Sequence, residues 1–360
     1  MSPPEETIVP LLSICVPTFN RASNLRNLIR DLRAVKARFG TGVEICISNN
    51  GSTDDTAAVV EEFQAELQSK VVHQTHNIGG TLNIIAVAQL MSGHWGILVG
   101  DDDELVPDSI GSILEHLKTV DRASWLLVDA ADLNGREQYF SKFQQGRYSN
   151  ARFRRLLLLR CGLNPFGFMG VHIFPKSTVS ILQSLKLVDA QPWPHIAALL
   201  RRLVRDEGGV QVCKLVAIMQ AKGGAKLFWS GGDLARIRLA KIRILMRAYR
   251  QDHRKFLFHH LLMLRELYSP YNINSLLAWK LYEPKDFRKS AVATYLQAYS
   301  WLGLCAPLAC LHGTAMLFLR VVPNSIYAGL FRLIGMGYLR SRYVALKSEL
   351  GVFDGFKRGI

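Results

Sequence analysis

The sequence lacks the cysteine patterns that hold structural zinc or a disulfide framework. Its six cysteines include no Cys-x-x-Cys pair, and none lies at a metal-ligand spacing from a histidine. We therefore expect reduced thiols in a packed core. The first ten residues contain three prolines and two acidic residues, so no secretory leader is predicted. Both features indicate a cytoplasmic protein.

Signatures of nucleic-acid binding are also missing. The sequence contains no helix-turn-helix, zinc-finger or RNP-like pattern, and its basic residues alternate with long aliphatic stretches. We therefore expect no nucleic-acid partner. A glycine-rich, lysine-bearing phosphate loop is missing near the N-terminus as well, which disfavours a nucleotidyltransferase.

Charge is distributed unevenly along the chain. Residues 1–200 contain 18 Lys and Arg against 20 Asp and Glu, whereas residues 201–360 contain 26 against 9. Apolar residues make up 49% of the sequence. A basic and apolar second half fits an anionic membrane surface or a phosphorylated substrate.

Apolar runs that predict strands alternate with amphipathic stretches that predict helices. Strands are predicted at 11–16, 43–48, 71–72, 96–99, 125–128 and 171–174, and helices at 24–39 (capped by Asn24), 56–68, 83–91, 153–160, 178–187 and 195–204. This order predicts an α/β fold with a mostly parallel, Rossmann-like sheet covered by helices on both faces. Beyond a loop with four glycines at 223–232 the pattern is almost wholly helical, so we predict an α/β domain over 1–230 and an all-α region over 231–360.

Three consecutive aspartates, Asp101, Asp102 and Asp103, follow the strand at 96–99. Adjacent carboxylates repel each other and raise one another's pKa. A divalent cation such as Mg²⁺ or Mn²⁺ would relieve this repulsion and would also bind a diphosphate. A solvated acidic turn before the helix near Pro107 explains the same pattern. The aspartates alone do not decide between the two interpretations.

Four motifs, in this order and spacing, resemble family 2 glycosyltransferases. They are LSICVPTFNR (12–21), EICISNNGSTDDT (44–56), HNIGGTLN (76–83) and LVGDDDELVPD (98–108). Within that family they look most like the branch that includes abequosyltransferases. The resemblance implies a GT-A fold, a nucleotide-sugar donor, and a glycan or polyprenyl-diphosphate-linked acceptor in bacterial surface polysaccharide synthesis.

The resemblance also implies the site residues. It assigns nucleotide-sugar binding to Pro17, Thr18, Asn20, Arg21, Asn49, Asn50, Asn77, Asn83 and Asp101. It makes Asp102 the principal metal ligand, with Asp103 or Asp101 assisting, and Mn²⁺ or Mg²⁺ the cofactor.

The chain departs from the family pattern at positions that bear on the donor and the metal. Asn49 and Asn50 stand where the family usually carries aspartates that contact the base, which leaves the donor base open. Leu82 stands where many members carry an arginine, and Gly100 stands at the first aspartate of the usual metal motif.

Inverting sugar transfer requires a base that removes the proton of the acceptor hydroxyl. The family usually supplies a carboxylate at the start of a later helix, and His195 stands at that position here. Imidazole can act as a base near neutral pH. Asp189 is the alternative base, and a structural role for His195 fits the same position.

The C-terminal region carries two features that favour a membrane surface. Residues 235–250 include six basic residues at helical spacing, and residues 299–319 carry no formal charge. The second stretch is long enough to span a bilayer, but Gly303 and Pro307 interrupt it. An interfacial helix, a span and a soluble helical subdomain all fit. We expect peripheral association with the inner face of the plasma membrane.

Two other functions remain open at this point. One is a nucleotidyltransferase with a related sheet. The other is a non-catalytic scaffold that binds glycan or membrane through a decayed GT-A site, which Gly100, Asn49, Asn50 and Leu82 would favour.

Overall fold

The computed structural model describes residues 9–131, 140, 143–185, 193–220, 241–248 and 255–267. The chain divides into two compact units, Met1–Lys222 with Arg243–Arg265, and Gly223–Ile242 with Glu266–Ile360. Nearly all described residues belong to the first unit. The division between 1–230 and 231–360 stays a prediction.

Four parallel strands form the first half of a mixed sheet. They are β1 (Leu12–Thr18), β2 (Val43–Asn49), β3 (Lys70–His73) and β4 (Trp95–Leu98), in the spatial order β3-β2-β1-β4. The connecting helices are α1 (Ala22–Phe39), α2 (Thr56–Leu67) and α3 (Gly80–Leu90). α1 and α2 each bury an apolar stripe, as the spacing of their apolar residues requires, whereas the buried residues of α3 include Thr81 and Asn83. The predicted α/β alternation is confirmed.

Two local predictions in this half were wrong. Asn24 is not a helix cap, because α1 begins at Ala22. The first strand does not close at Pro17 but continues to Thr18. The pairing of β1 with β4 ends at Cys15, whose carbonyl oxygen accepts from the Val99 backbone N–H. The nitrogen of Pro17 faces the same side, beyond the end of β4, so its missing N–H costs no ladder hydrogen bond.

The second half of the sheet is not parallel throughout. Its strands are β5 (Asp103–Leu105), β6 (Trp125–Ala131), β7 (Gly146–Tyr148), β8 (His172–Pro175) and β9 (Val210–Gln220). The order continues as β4-β8-β6-β9-β5, with β7 also on β9. β8 is antiparallel to β4 and β6, and β5 and β7 are antiparallel to β9. β5, β7 and β9 had not been predicted. β5 and β7 have only three residues each and are defined by their pairing with β9, whereas the Val-rich run of β9 carries a strand signal of its own.

The remaining described helices flank this sheet. They are α4 (Pro107–Leu117), α5 (Asn150–Leu156), which continues as a wider turn over Leu157–Cys161, α6 (Thr178–Ser184), α7 (Pro194–Arg205) and α8 (Phe256–Leu267). Of the predicted basic helix 235–250, only 241–248 is described; it is helical, with Lys241 buried and Arg243 and Arg247 half-buried. The stretch 299–319 lies outside the described residues. In the described part of the chain, no helix is long and apolar enough to cross a membrane.

The strand directions bring distant polar residues to one edge of the sheet. Thr18 and Asn49 end β1 and β2, and the aspartates follow β4. Because β8 is antiparallel to β4, its first residue, His172, lies at this same edge. We call it the carboxyl edge, and it is where open α/β sheets bind ligands.

Glu44, in β2, is a buried carboxylate that stabilises the opposite edge of the sheet. Burial alone would raise its pKa, but hydrogen bonds from Lys70, Ser13, Ser92 and the Gly93 backbone outweigh this and lower the pKa to about 2. A carboxyl group with a depressed pKa stabilises the fold above its unfolded pKa near 4.5, and that stabilisation is lost as the pH falls toward 2.

We expect Glu44→Gln to lower the free energy of unfolding at pH 7 by about 2 kcal/mol, and by progressively less below pH 4. Urea unfolding at several pH values measures this. Glu62→Gln is the matched control, because Glu62 is exposed and forms only a surface pair with Arg26. An equal loss at pH 3 and pH 7 would contradict the ionic role of Glu44.

Candidate functional site

The loops that follow β1 and β2 are bound to each other and form one wall of a crevice at the carboxyl edge. The Asn20 backbone N–H donates to Ser52 Oγ (2.9 Å), and Asn20 Oδ1 accepts from the Thr53 backbone N–H (2.8 Å). Asp54 Oδ2 accepts from the Ala22 backbone N–H (3.2 Å). Asn20 therefore holds the two loops in place.

Thr18 and Arg21 hold the first two carboxylates of the acidic cluster. Thr18 Oγ1 donates to Asp101 Oδ2 (2.7 Å). Arg21 Nη1 donates to Asp101 Oδ1 (3.0 Å) and to Asp102 Oδ2 (2.5 Å). The loop after β1 and the turn after β4 therefore meet, although the joined residues are 80 to 83 positions apart in the sequence. Sequence reasoning assigned Arg21 to the donor, whereas the structure shows it bridging two aspartates.

Gly100 leaves room for the other two carboxylates. A β-carbon at Gly100 would lie 2.6 Å from Asp103 Oδ2 and 2.9 Å from Asp102 Oδ1. These two oxygen atoms therefore converge over the Gly100 backbone, in space that any side chain there would fill. Position 100 thus has no aspartate of its own, but the carboxylates of Asp102 and Asp103 fold back over its backbone.

The carboxylates of the cluster are poorly neutralised. Burial raises the pKa of Asp101 to about 6, although Arg21 and Thr18 oppose the shift. Burial, reinforced by the neighbouring Asp102, raises the pKa of Asp103 to about 8. A single guanidinium group therefore does not balance three adjacent carboxyl groups, and the site favours an additional cation.

The donor set suits Mg²⁺ or Mn²⁺. Within the described ranges, no three His, Cys, Asp or Glu side chains converge as a ready-made ligand cage. Mg²⁺ does not need such a cage, because it binds through one or two carboxylates, water and substrate phosphate oxygens. The converging oxygens of Asp102 and Asp103 over Gly100 meet this requirement.

Three asparagine amides form a second polar cluster beside β2. Asn49 Oδ1 accepts from the Ser52 backbone N–H (3.3 Å), Asn50 Oδ1 from that of Ile78 (2.9 Å), and Asn77 Oδ1 from that of Gly79 (2.8 Å). Asn50 Nδ2 also donates to Asn77 Oδ1 (3.0 Å). Backbone donors thus fix the orientation of each amide, so the capacity left to Asn50 and Asn77 is chiefly that of N–H donors.

Two further residues shape this cluster. Gly51 has a φ of +66°, and a β-carbon there would lie 2.4 Å from the His76 backbone, so only glycine lets the two loops approach. Asn83 Nδ2 donates to the Thr18 and Ser48 carbonyl oxygens (3.3 and 3.2 Å), and Asn83 is buried. Asn83 therefore uses its amide to join β1, β2 and α3.

His195 lies in the first turn of α7 and is buried, with 2% of its surface exposed. Its Nε2 is 3.2 Å from the Phe166 carbonyl oxygen, which His172 Nε2 also approaches (2.9 Å). The two imidazole rings are 4.8 Å apart. Burial, and then the proximity of His172, lowers the pKa of His195 well below its usual value. His195 is therefore neutral at pH 7.

This arrangement selects one tautomer of His195. A proton on Nε2 satisfies the Phe166 carbonyl oxygen, so Nδ1 carries the lone pair. Nδ1 has no hydrogen-bond partner among the described residues. A buried nitrogen acceptor without a donor is unusual in a folded protein.

The remaining predicted residues are Asp189 and Pro17. Asp189, the alternative base, lies outside the described residues. Pro17 is half-buried at the end of β1. Sequence reasoning missed His73, whose Nδ1 lies 3.1 Å from Asn49 Nδ2, and His172. His73 directly follows the strand predicted at 71–72, which is a signal that could have identified it. His172 reaches the carboxyl edge only because β8 is antiparallel to β4, which the sequence did not indicate.

The part of the chain that forms this site matches a known protein family. Residues 13–177 match the sequence model described as "Glycosyl transferase family 2". The matched range begins in β1 and ends just beyond β8, so it includes the loops after β1 and β2, the acidic cluster and the amide cluster.

Two curated relatives match a shorter part of the chain. The abequosyltransferase RfbV of Salmonella typhimurium is 30% identical over 109 residues, which is 30% of this chain and 32% of that protein. The GalNAc(5)-diNAcBac-PP-undecaprenol beta-1,3-glucosyltransferase of Campylobacter jejuni is 28% identical over 109 residues, 30% of this chain and 34% of that protein. The chain thus matches about a third of the length of these relatives.

The fold has a solved counterpart over most of the chain. The crystal structure of residues 1–349 of TarS from S. aureus in complex with UDP superposes with a TM-score of 0.61. The match covers 86% of each chain at 15% sequence identity. At this identity the likeness concerns the fold alone.

Proposed function

Residues 13–177 belong to glycosyl transferase family 2 and form the core of a GT-A fold, and on this premise we propose that the chain is an inverting glycosyltransferase. Its donor is a nucleotide sugar, and its acceptor is a glycan or a polyprenyl-diphosphate-linked sugar in bacterial surface polysaccharide synthesis. The observation that carries the proposal is the convergence of Thr18, Arg21 and the aspartates at the crevice between the loops.

The acidic cluster positions the donor diphosphate. Asp102, with Asp103 assisting, would hold Mn²⁺ or Mg²⁺, which offsets negative charge on the diphosphate leaving group. Asp101 is fixed by Thr18 and Arg21 and shapes the floor beneath the diphosphate. Arg21 is half-buried and already lies at the cluster, so its guanidinium group can contact a phosphate oxygen without a large movement.

The amide cluster forms hydrogen bonds with the base of the donor. With the diphosphate at Asp102, the nucleoside extends along the carboxyl edge toward β2 and β3, where Asn49, Asn50 and Asn77 lie. Their oxygens are held by backbone N–H groups, so the cluster offers amide N–H donors and no carboxylate. Such a site pairs better with cytosine, whose N3 accepts a hydrogen bond, than with uracil, whose N3–H must donate one.

His195 is the proposed general base, acting through Nδ1. The Phe166 carbonyl oxygen orients the ring and keeps its proton on Nε2, so the lone pair on Nδ1 can accept the proton of the acceptor hydroxyl. Its burial means that the acceptor must enter deeply or that the start of α7 must shift. Asp189 remains the alternative.

The proposed acceptor rests on the name of one relative, and the proposed cellular location rests on the charge of the second half of the chain. The Campylobacter jejuni relative is named for a polyprenyl-diphosphate-linked acceptor. The basic second half of this chain suits the anionic inner face of the plasma membrane. We therefore propose a peripheral enzyme at that face which extends a lipid-linked glycan.

Nucleotide binding tests this function. The melting temperature of the full chain is measured with CDP, UDP, GDP and dTDP, each with and without Mn²⁺. We expect a rise that requires Mn²⁺ and is largest for CDP. Asn50→Asp should invert the order of CDP and UDP, by about tenfold in affinity, because it replaces a donor with an acceptor. Asn27→Asp, on the exposed face of α1, is the matched control and should change nothing.

The possible outcomes separate the function from the base preference. No response to any nucleotide would contradict transfer and favour a non-catalytic scaffold. A response in which UDP equals or exceeds CDP would contradict only the role assigned to the amide cluster.

A further inference from the structure

Exposed apolar side chains are concentrated on two helical segments. Among the described residues, the large apolar side chains that are exposed are Val9, Leu159, Leu257 and Leu261. Leu159 and Leu257 expose 65% and 66% of their surface, and Leu261 exposes 42%. Isolated exposed leucines are common on protein surfaces, but three on neighbouring segments are characteristic of an interaction surface.

Contacts at both ends hold these two segments side by side. The segments are 150–161, which comprises α5 and the wider turn after it, and 255–265, which comprises Lys255 and most of α8. At one end, Asp206 pairs with both Arg154 Nη1 (2.5 Å) and Lys255 Nζ (3.0 Å). At the other end, Arg265 Nη1 donates to the Leu158 carbonyl oxygen (2.8 Å). These contacts join the two segments at two points.

Two of the exposed leucines share one face of α8, and the third, Leu159, lies on the segment that Arg265 contacts. Leu257 and Leu261 are one turn apart and share a helix face. Leu261 lies one turn before Arg265, whose side chain reaches the backbone next to Leu159. The opposite face of α8 is buried, through Phe258, Leu262 and Met263. Packing therefore accounts for half of α8 and leaves its leucine face uncovered.

Cations surround the leucines. Residues 150–161 contain four arginines and no acidic residue, and three of these arginines, Arg152, Arg155 and Arg160, are exposed. Lys255 is exposed at the start of the second segment. The nearby Asp206 is paired with Arg154 and Lys255. The exposed leucines thus lie among four exposed cations and one exposed carboxylate, Asp206, so the surrounding charge is positive on balance.

We propose that Leu159, Leu257 and Leu261, with Arg155, Arg160 and Lys255, form a docking surface for a bilayer that contains anionic lipid. Leucine side chains enter the boundary between headgroups and acyl chains, while arginine and lysine contact lipid phosphates. A soluble protein partner would have to supply acidic groups around an apolar centre of matching shape. An anionic bilayer supplies lipid phosphates and an apolar interior wherever the surface touches it.

The surface uses no residue of the crevice. Residues 150–161 follow Tyr148, which lies at the edge of the sheet opposite the carboxyl edge. Docking goes beyond the proposed transfer reaction and is independent of nucleotide binding.

Vesicle binding tests the proposal. The full chain is sedimented with phosphatidylcholine vesicles, with and without phosphatidylglycerol. We expect binding only to the anionic vesicles and weaker binding in high salt. Leu257→Glu combined with Leu261→Glu should weaken that binding about tenfold or more, because two apolar side chains no longer enter the bilayer. Val9→Glu is the matched control, since Val9 is 51% exposed but lies before β1, and it should bind like the wild type.

Three results would overturn the proposal. The first is unchanged vesicle binding by the double variant. The second is equal binding of the wild type to neutral and anionic vesicles. The third is a wild-type dimer, detected by light scattering, that the double variant dissociates, since the surface would then bind a second copy. An unchanged melting temperature and nucleotide response show that the variant is folded. If the wild type binds no nucleotide but docks as described, transfer fails and docking stands.

Discussion

Asp102→Ala is expected to abolish the Mn²⁺-dependent part of nucleotide binding. Asp102 Oδ1 lies over the Gly100 backbone beside Asp103 Oδ2, while Asp102 Oδ2 pairs with Arg21. Removing this carboxylate leaves Asp103 as the remaining carboxylate over Gly100. In the wild type, nucleotide at 100 times its dissociation constant adds about 2.7 kcal/mol, or a rise in melting temperature on the order of 5 °C. The variant should lose that rise, and its turnover should fall by at least ~100-fold.

Thermal shift with and without Mn²⁺ measures the first effect, and sugar release from the donor measures the second. Asp108→Ala is the matched control, because Asp108 is an exposed aspartate in the first turn of α4. It should behave like the wild type in both assays. A Mn²⁺-dependent response that survives in Asp102→Ala would move the metal ligand elsewhere.

His195→Asn is expected to reduce turnover by about 100- to 10,000-fold while leaving donor binding unchanged. Asparagine has no basic nitrogen atom, and its shorter side chain does not reach the Phe166 carbonyl oxygen as His195 Nε2 does. The neighbouring ring of His172 keeps its own contacts with Phe166 and Trp125. The loss should therefore appear in kcat and leave the affinity for the nucleotide as it was.

A pH profile distinguishes a base from a structural histidine. Burial lowers the pKa of His195 well below 6.5, so wild-type turnover should stay constant from pH 8 to below pH 6.5 and fall only when His195 gains a proton. That acidic limb should be missing from the residual activity of His195→Asn. Full activity in the variant would assign the base to Asp189, and parallel losses of stability and donor binding would indicate a structural role.

The motifs indicated which residues meet at the carboxyl edge better than they indicated the order of the strands in the sheet. Thr18, Arg21 and Asp101 were all assigned to the donor pocket, and they do meet, because they follow strands that end at one edge. The order of the strands beyond β4 could not be predicted. β8 lies between β4 and β6 although it follows β6 in the sequence, and its place depends on pairing across more than 70 residues.

Individual roles within the site were harder to predict than its membership. Asn83 resembled a ligand contact but joins two strands to a helix, and Asn20 holds one loop to another. A polar side chain at a strand end can face either a ligand or a neighbouring backbone group. The residue type and its spacing are the same in both cases, so only the position of the neighbouring backbone distinguishes them.

By itself, the sequence determined the alternation of strands and helices over the first four strands and the placement of acidic and amide residues at strand ends. These are local properties, set by the spacing of apolar residues and by turn-forming residues. Tertiary structure alone decided that Arg21 bridges Asp101 and Asp102, that backbone donors orient the asparagine amides, and that His195 is buried against His172. Each of these depends on atoms that lie far apart along the chain and become neighbours only when the sheet is assembled.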